Sequence, residues 1–235
     1  MAGSNLNLAT RGVRYTLTVS HRPLHATLAA DFMGIMTNIE LGFWLLLLAT
    51  LLCPCSAVLT ETLDDFTMAQ TRLSTFAAAS LWNAVTDNST IVGGEREMIL
   101  VKTRPSPTWN YVEVSGGAMQ TSEFDGIGNY TMQYDGPDNS PDLDVTGLGG
   151  LDFTKHGAST LSFDAYVWTY ATVSIFVYSP DGSKCSWADS IPMGVQNVKF
   201  SSFTGDCDWT NVGAMEFVQT IENDSALTVY WLQIS

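Results

Sequence analysis

The feature that most constrains this chain is an uncharged, leucine-rich run from Leu41 to Cys53. A membrane-spanning helix needs about 20 apolar residues, and this run of thirteen has the size of a signal-peptide hydrophobic region. Pro54 follows, and Cys55 and Ala57 place small residues at positions −3 and −1 of a cleavage site. We therefore predict that residues 1–57 are an N-terminal extension and signal peptide. An uncleaved anchor and a buried core helix are the alternatives.

The residues before this run are unusual for a signal peptide. Three arginines lie far upstream, and the acidic Glu40 stands directly against the apolar run. Two explanations compete. The chain starts at Met33 or Met36 and the earlier residues are not translated, or residues 1–30 form a transit-like extension. We favour the first, because a transit peptide followed by a secretory signal would direct the chain to two places.

The chain after residue 57 is strongly acidic. The whole protein has a formal net charge of −14, and the first 57 residues hold only three of the ten basic and two of the 24 acidic residues. This balance excludes nucleic acid as a partner, because phosphate binding depends on clustered Lys and Arg. Residues 58–235 are long enough for a single domain with a proper core. We expect a secreted or cell-surface protein whose mature form does not span a membrane.

Two cysteines remain if Cys53 and Cys55 leave with the signal peptide. Cys185 and Cys207 are 22 positions apart, and an even pair in an exported chain predicts a disulfide. A metal site is a poor alternative because His156 is the only histidine after residue 57. The same scarcity of histidine argues against a Ser-His-Asp or Cys-His hydrolase.

Alternation of apolar and polar residues with a period of two dominates the sequence after residue 89 and predicts strands with one buried face. In residues 160–168, Leu161, Phe163, Ala165 and Val167 share one face, and residues 170–179 repeat the pattern after a minimal connection, which predicts a hairpin. Residues 226–235 are apolar on both faces, as in a central strand. We predict an all-β protein, a β-sandwich, in which residues 68–82 form a loop or short helix.

Five short motifs resemble, in type and order, those of exported bacterial surface proteins that often carry a PEP-CTERM sorting tail. The motifs are Leu63–Thr67 (LDDFT), Ile91–Glu97 (IVGGERE), Tyr134–Gly136, Thr146–Thr154 (TGLGGLDFT) and Phe200–Phe217. The resemblance implies a jelly-roll sandwich related in shape to carbohydrate-binding modules and a first strand at Leu63–Thr67. This chain ends at Ser235 with no Pro-Glu-Pro and no basic tail, so we expect release or capture by a partner instead of that anchor.

The densest acidic cluster in the sequence lies in a turn-rich loop. Asp135, Asp138, Asp142 and Asp144 stand close together there with Asn139. Calcium takes six to eight oxygen ligands from such loops, so these four aspartates are the predicted metal ligands. A solvated acidic loop without an ion is the alternative. No pair of carboxylates is singled out as a catalytic pair of a glycosidase, and we predict that the protein is not an enzyme.

Aromatic residues are the candidates for ligand contact. Trp109, Tyr111, Trp168, Tyr170 and Trp187 alternate with apolar positions or lie near loops, and exposed flat rings can stack on sugars. The alternative is that they fill the second face of the sandwich. Three Asn-x-Ser/Thr sequons, at Asn88, Asn129 and Asn223, mark surface positions if the chain passes through a eukaryotic secretory pathway.

These features lead to two hypotheses about function. The first is a non-enzymatic extracellular surface or matrix binding module directed at a glycan or an extracellular protein. The second is a structural subunit that self-associates into a sheath or filament. Binding of glycans by the monomer would favour the first, and ordered assemblies would favour the second.

Overall fold

The protein is a β-sandwich of the jelly-roll type, which confirms the fold class expected from the sequence. The computed structural model describes residues 5–10, 13–18, 59–122, 127–169, 171–222 and 225–235. The strands in chain order are β1 Asn5–Thr10, β2 Val13–Thr18, β3 Leu59–Asp64, β4 Gln70–Thr75, β5 Ala79–Thr86, β6 Glu95–Lys102, β7 Asn110–Ser115, β8 Ala118–Ser122, β9 Ile127–Tyr134, β10 Thr160–Val167, β11 Ala171–Tyr178, β12 Lys184–Ile191, β13 Gly194–Lys199, β14 Thr204–Gly205, β15 Ala214–Glu222 and β16 Leu227–Ile234. Short 3₁₀ turns occupy Val92–Gly94, Lys155–Gly157 and Phe200–Ser202.

Two antiparallel sheets enclose the core. Among the described residues, sheet A has the order β1-β2-β3-β16-β8-β7-β4, with β10 on the other side of β16 and β13 beyond it. Sheet B has the order β14-β12-β11-β15-β9-β6-β5. The last strand, β16, pairs with β10 on one side and with both β3 and β8 on the other. This central position confirms the prediction made from its apolar faces.

The core lies between the two sheets and is built from the alternating inward residues of each strand. Phe163 on β10 meets Phe217 on β15 edge to face, with ring centroids 5.3 Å apart. Neither ring has more than 1% of its surface exposed. Burial of rings of this size supplies much of the stability of a sandwich. Leu161, Ala165 and Val167 are buried on the same face of β10, as the sequence pattern predicted.

The predicted hairpin between β10 and β11 is wrong. β10 belongs to sheet A and pairs with β13 and β16, whereas β11 belongs to sheet B and pairs with β12 and β15. Both strands bury one face in the same core, from opposite sides. Period-two alternation reports a buried face but does not say which sheet holds the strand, so the short connection that suggested a hairpin in fact crosses between the sheets.

The prediction of a loop or short helix for residues 68–82 is also wrong. The segment forms β4 in sheet A and the first half of β5 in sheet B. The segment changes sheets within a few residues, and Leu73 packs toward the core from sheet A whereas Leu81 does so from sheet B. The Ser and Thr residues in between favour extended structure over helix.

The sequence predicts that residues 1–57, the extension and signal peptide, are separate from the single domain of residues 58–235. In the structure β1 and β2 form a hairpin, and β2 pairs with β3 in the register Tyr15 to Glu61. The predicted signal segment, Leu41–Ala57, lies outside the described residues. Its cleavage stays a prediction, and cleavage would make β3 an edge of sheet A.

Candidate functional site

The outer face of sheet A carries a groove lined by aromatic rings beside β7 and the edge strand β4. Tyr111 points outward because its neighbours Asn110 and Val112 are buried in the alternating pattern of β7. Trp109, just before β7, is 52% exposed, and its ring centroid lies 3.9 Å from that of Phe76. The rings line an open groove of about 590 Å³.

Charged groups lie beside these rings. Arg72 on β4 places its guanidinium carbon 3.9 Å from the centroid of the Tyr111 ring. Its Nε and Nη2 donate to the two carboxylate oxygens of Glu113, at 2.9 and 3.1 Å. A bidentate pair of this kind fixes the planar guanidinium. The groove therefore combines ring faces with hydrogen-bonding groups held in place.

Further aromatic residues lie across the same face, on β10 and directly after its end. The registers of β10, β16, β8 and β7 align Tyr166 with Thr228, Gln120 and Glu113 in one row. Tyr166 is 41% exposed, and Trp168, two positions further, is 74% exposed. Neighbouring strands are about 4.8 Å apart, so the three spacings from β10 to β7 cover roughly 14 Å.

The structure brings together three of the five aromatic residues predicted from the sequence. Trp109, Tyr111 and Trp168 belong to the outer face of sheet A. Trp187 packs against the core, with its ring 6.5 Å from Phe163, and Tyr170 lies outside the described residues. Sequence reasoning missed Phe76 and Arg72 because it did not recognise β4 as a strand beside β7.

An acidic cluster lies on the opposite side of the molecule, on the outer face of sheet B. Glu95 and Glu97 project outward from β6, because the intervening Arg96 points into the core, where it contacts Asp64. Asp138 comes from the loop 136–150, which follows β9. One carboxylate oxygen from each of Glu95, Glu97 and Asp138 lies within 4.8 Å of the others.

Asp135 adjoins this cluster through a shared amide. Gln133 Nε2 donates to Glu97 Oε2 and to Asp135 Oδ2, both at 2.9 Å. The backbone N–H of Asn139 donates to Glu95 Oε1 at 2.9 Å, which holds the loop against β6. Glu97 Oε1 and Asp135 Oδ1 are buried and have no hydrogen-bond partner among the described residues.

The carboxylates of this cluster are difficult to ionise together. Burial raises the pKa of Glu97 to about 8, and the negative charge of Asp135 adds to the effect. Burial also raises the pKa of Asp135 to about 6, although the N–H of Asp144 donates to it. Charged groups without a counter-charge are costly in such surroundings.

Two of the four predicted metal ligands belong to this part of the structure. Asp135 and Asp138 do, whereas Asp142 is exposed and outside the three-residue cluster. The carboxylate of Asp144 accepts hydrogen bonds from Thr146 N and Oγ1, at 2.8 and 2.7 Å. Sequence reasoning missed Glu95 and Glu97, which lie some 40 positions upstream of the loop and reach it because β6 pairs with β9.

The predicted disulfide is confirmed. Cys185 on β12 is bonded to Cys207, with their Cα atoms 5.1 Å apart. The bond ties β12 to the segment after β14, beside the pairing of Cys185 with Gly205. Two of the predicted sequon residues, Asn88 and Asn129, are exposed. The third, Asn223, lies outside the described residues.

Comparisons with solved structures return matches at low identity. A family 11 carbohydrate-binding module of a cellulosomal cellulase of Clostridium thermocellum is 14% identical, with a TM-score of 0.37, and the match covers 74% of this chain and 93% of that one. A family 29 carbohydrate-binding module complexed with mannohexaose is 15% identical, with a TM-score of 0.32 and coverage of 71% and 92%. PfGH50B is 10% identical with a TM-score of 0.39, and the match covers 53% of this chain but only 21% of PfGH50B.

At these identities and TM-scores the likeness assigns neither a ligand nor an activity to this chain. No protein-family model and no curated protein matches the sequence. The resemblance to exported surface proteins with a PEP-CTERM tail stays a prediction. In the part of the chain that the structure describes, no helix has the length and apolar character needed to cross a membrane.

Proposed function

We propose that this protein is a non-enzymatic binding module that works outside the cell and holds a glycan on the outer face of sheet A. The observation that carries the proposal is the contact between the rings of Trp109 and Phe76. Beside it, the guanidinium of Arg72 lies over the ring of Tyr111. Sugars present apolar C–H faces together with hydroxyl groups. Exposed ring faces next to fixed donors and acceptors match both.

Two further features support the proposal, the exposure of the aromatic rings and the disulfide bond. Large aromatic rings left open on a strongly acidic protein mark an interaction surface. The disulfide between Cys185 and Cys207 suits an oxidising compartment outside the cytosol. Calcium is the ion expected from the sequence. We propose it for the acidic cluster on sheet B, where it would stabilise the fold and would not contact the glycan.

The acidic cluster does not favour an enzyme. A carboxyl group with a raised pKa beside a second carboxylate is the pattern used by glycoside hydrolases, and Glu97 with Asp135 has that electrostatic character. However, Glu97 is 0% and Asp135 only 1% exposed. A scissile glycosidic bond has no access to either group in this arrangement.

A structural subunit remains the second candidate because of one edge of sheet A. Within the described part of the chain, β13 pairs only with β10, and Val195 on β13 and the preceding Met193 are 53% and 58% exposed. An apolar edge strand can pair with another copy. The net charge of −14 opposes that association through repulsion between copies.

The test is binding of the purified protein to an array of polysaccharides, followed by affinity measurements with Trp109→Ala and Tyr111→Ala. We expect each substitution to weaken binding on the order of tenfold, as loss of one stacked ring does. Trp82→Ala is the matched control, because Trp82 is 38% exposed on β5 of sheet B. Failure to bind any glycan, or an equal loss with Trp82→Ala, would overturn the proposal. Ordered assemblies in electron micrographs without glycan binding would support the structural subunit.

A further inference from the structure

We infer that the acidic cluster on sheet B is a calcium site, with Glu95, Glu97 and Asp138 as ligands and Asp135 as an adjoining carboxylate. Strand β6, the residue that directly follows β9 and the loop 136–150 supply these groups. The inference does not depend on the proposed glycan face, which lies on the other sheet.

The first argument is the number of carboxylates without a balancing charge. Glu95, Glu97 and Asp138 hold their oxygens within 4.8 Å of one another. The hydrogen bonds found at the cluster come from the Gln133 amide and from backbone N–H groups, which carry no full positive charge. Arg96, the nearest basic residue in sequence, points to the opposite face of β6, where it binds Asp64. A bound cation would supply the missing charge.

The second argument is the pair of unsatisfied oxygens. Glu97 Oε1 and Asp135 Oδ1 belong to side chains that are 0% and 1% exposed, and neither oxygen has a partner among the described residues. Buried polar atoms are nearly always satisfied in folded proteins. The second oxygen of each carboxylate is already held by Gln133, which orients both groups in the way that outer-sphere residues orient metal ligands.

The donor atoms identify the class of ion. The cluster contains only oxygen donors, without His or Cys, which excludes a typical zinc site. Several carboxylates in a site built partly from a loop suit calcium, which accepts six to eight oxygens in flexible geometry. Magnesium requires a near-ideal octahedron and retains water, so it is rarely held by protein ligands alone.

The sharpest consequence concerns Glu97. In the presence of a chelator the Glu97→Gln variant should melt at a higher temperature than the wild type, because a neutral amide replaces a buried acid that has no counter-charge beside it. With calcium the order should reverse, because the variant loses a ligand. Opposite effects in the two conditions are not expected of a residue that only packs.

The experiment uses the full chain after treatment with a chelator. Calcium chloride is added during thermal melts and in calorimetric titration, with magnesium chloride as the comparison ion. The variants are Glu97→Gln and Asp138→Asn. Asp142→Asn is the matched control, because it removes the same charge from an exposed position in the same loop.

We expect calcium to raise the melting temperature of the wild type and of Asp142→Asn, and to leave Glu97→Gln unchanged. Asp138→Asn, whose side chain is exposed and whose folding should be intact, should bind calcium on the order of tenfold more weakly. No calcium effect on the wild type would overturn the inference. An equal effect on all four proteins, which indicates screening, or an equal effect of magnesium would overturn it as well.

Discussion

Arg96 and Asp64 form a buried ion pair that joins the two sheets, with Arg96 Nη1 2.7 Å from Asp64 Oδ2. Their side chains are 0% and 1% exposed. Arg96 Nε also donates to Gln70 Oε1, and the Tyr134 hydroxyl donates to Asp64 Oδ2. Partners that satisfy both charged groups are the condition under which such a pair is tolerated in a core.

We expect Arg96→Met to lower the free energy of unfolding by about 3–5 kcal/mol, because it leaves Asp64 buried without a counter-charge. The matched control is Arg72→Met, which breaks the exposed pair with Glu113 and should cost at most about 1 kcal/mol. Denaturant unfolding measures both. The double variant Asp64→Asn with Arg96→Met should be less destabilised than Arg96→Met alone. Equal, small losses for both single variants would contradict the assigned role of the buried pair.

The Cys185–Cys207 bond can be mapped directly. Trypsin cleaves after Lys184 and Lys199, so the two cysteines fall in the peptides 185–199 and 200–235. We expect unreduced digests to contain these peptides as one linked species that separates on reduction. Closure of a loop of this length contributes about 3 kcal/mol in the chain-entropy treatment, so the Cys185→Ala, Cys207→Ala double variant should lose about that much stability. Finding both peptides free in the unreduced sample would contradict the bond.

The secreted form should begin at or near Val58. β3 starts at Leu59, one residue later, so cleavage after Ala57 leaves this strand complete. Cleavage would also remove β1 and β2, whose backbones extend sheet A beyond β3. Mass spectrometry of the N-terminal peptide of secreted material measures the site. A secreted chain that still contains Arg14 would show that the hairpin belongs to the working protein.

The sequence predicted the individual strands better than their arrangement. The alternation in β10 identified its buried residues correctly, and the apolar faces of β16 predicted its central position. Which sheet a strand joins depends on contacts with distant strands, so β10 and β11 were wrongly placed in one hairpin. For the same reason β4 and β5 were not recognised, because the chain passes from sheet A to sheet B within a few residues there.

Two of the sequence motifs contact each other in the core. The GGERE stretch sends Arg96 inward to Asp64 of the LDDFT motif, and it sends Glu95 and Glu97 outward to the acidic cluster. In the same way, Tyr134 points into the core and Asp135 points outward to the acidic cluster. The loop aspartates indicated where acidic groups gather, but the register of β6 against β9 was needed to find Glu95 and Glu97 beside them.

Dependence on ligand length follows from the geometry of the proposed glycan face. Tyr111 lies on β7 and Trp168 directly follows β10, and β8 and β16 separate these two strands, so the backbones that carry the two rings are roughly 14 Å apart across the sheet. A monosaccharide or disaccharide contacts one ring only, whereas a longer oligosaccharide reaches both. We therefore expect affinity to rise through a series of oligosaccharides prepared from the bound polysaccharide, and to level off once both rings are covered.

The Trp168→Ala variant tests whether the binding site extends across the sheet to β10 or is confined to the groove beside β7. The substitution removes a side chain that is 74% exposed, so folding should be unaffected. We expect it to leave the affinity for the shortest binding oligosaccharide unchanged and to weaken binding of the longest on the order of tenfold, the effect of one lost stacking ring. Tyr111→Ala should weaken both. Calorimetric titration across the series measures these differences, and equal affinity of Trp168→Ala and the wild type for the longest oligosaccharide would restrict the site to the groove beside Trp109.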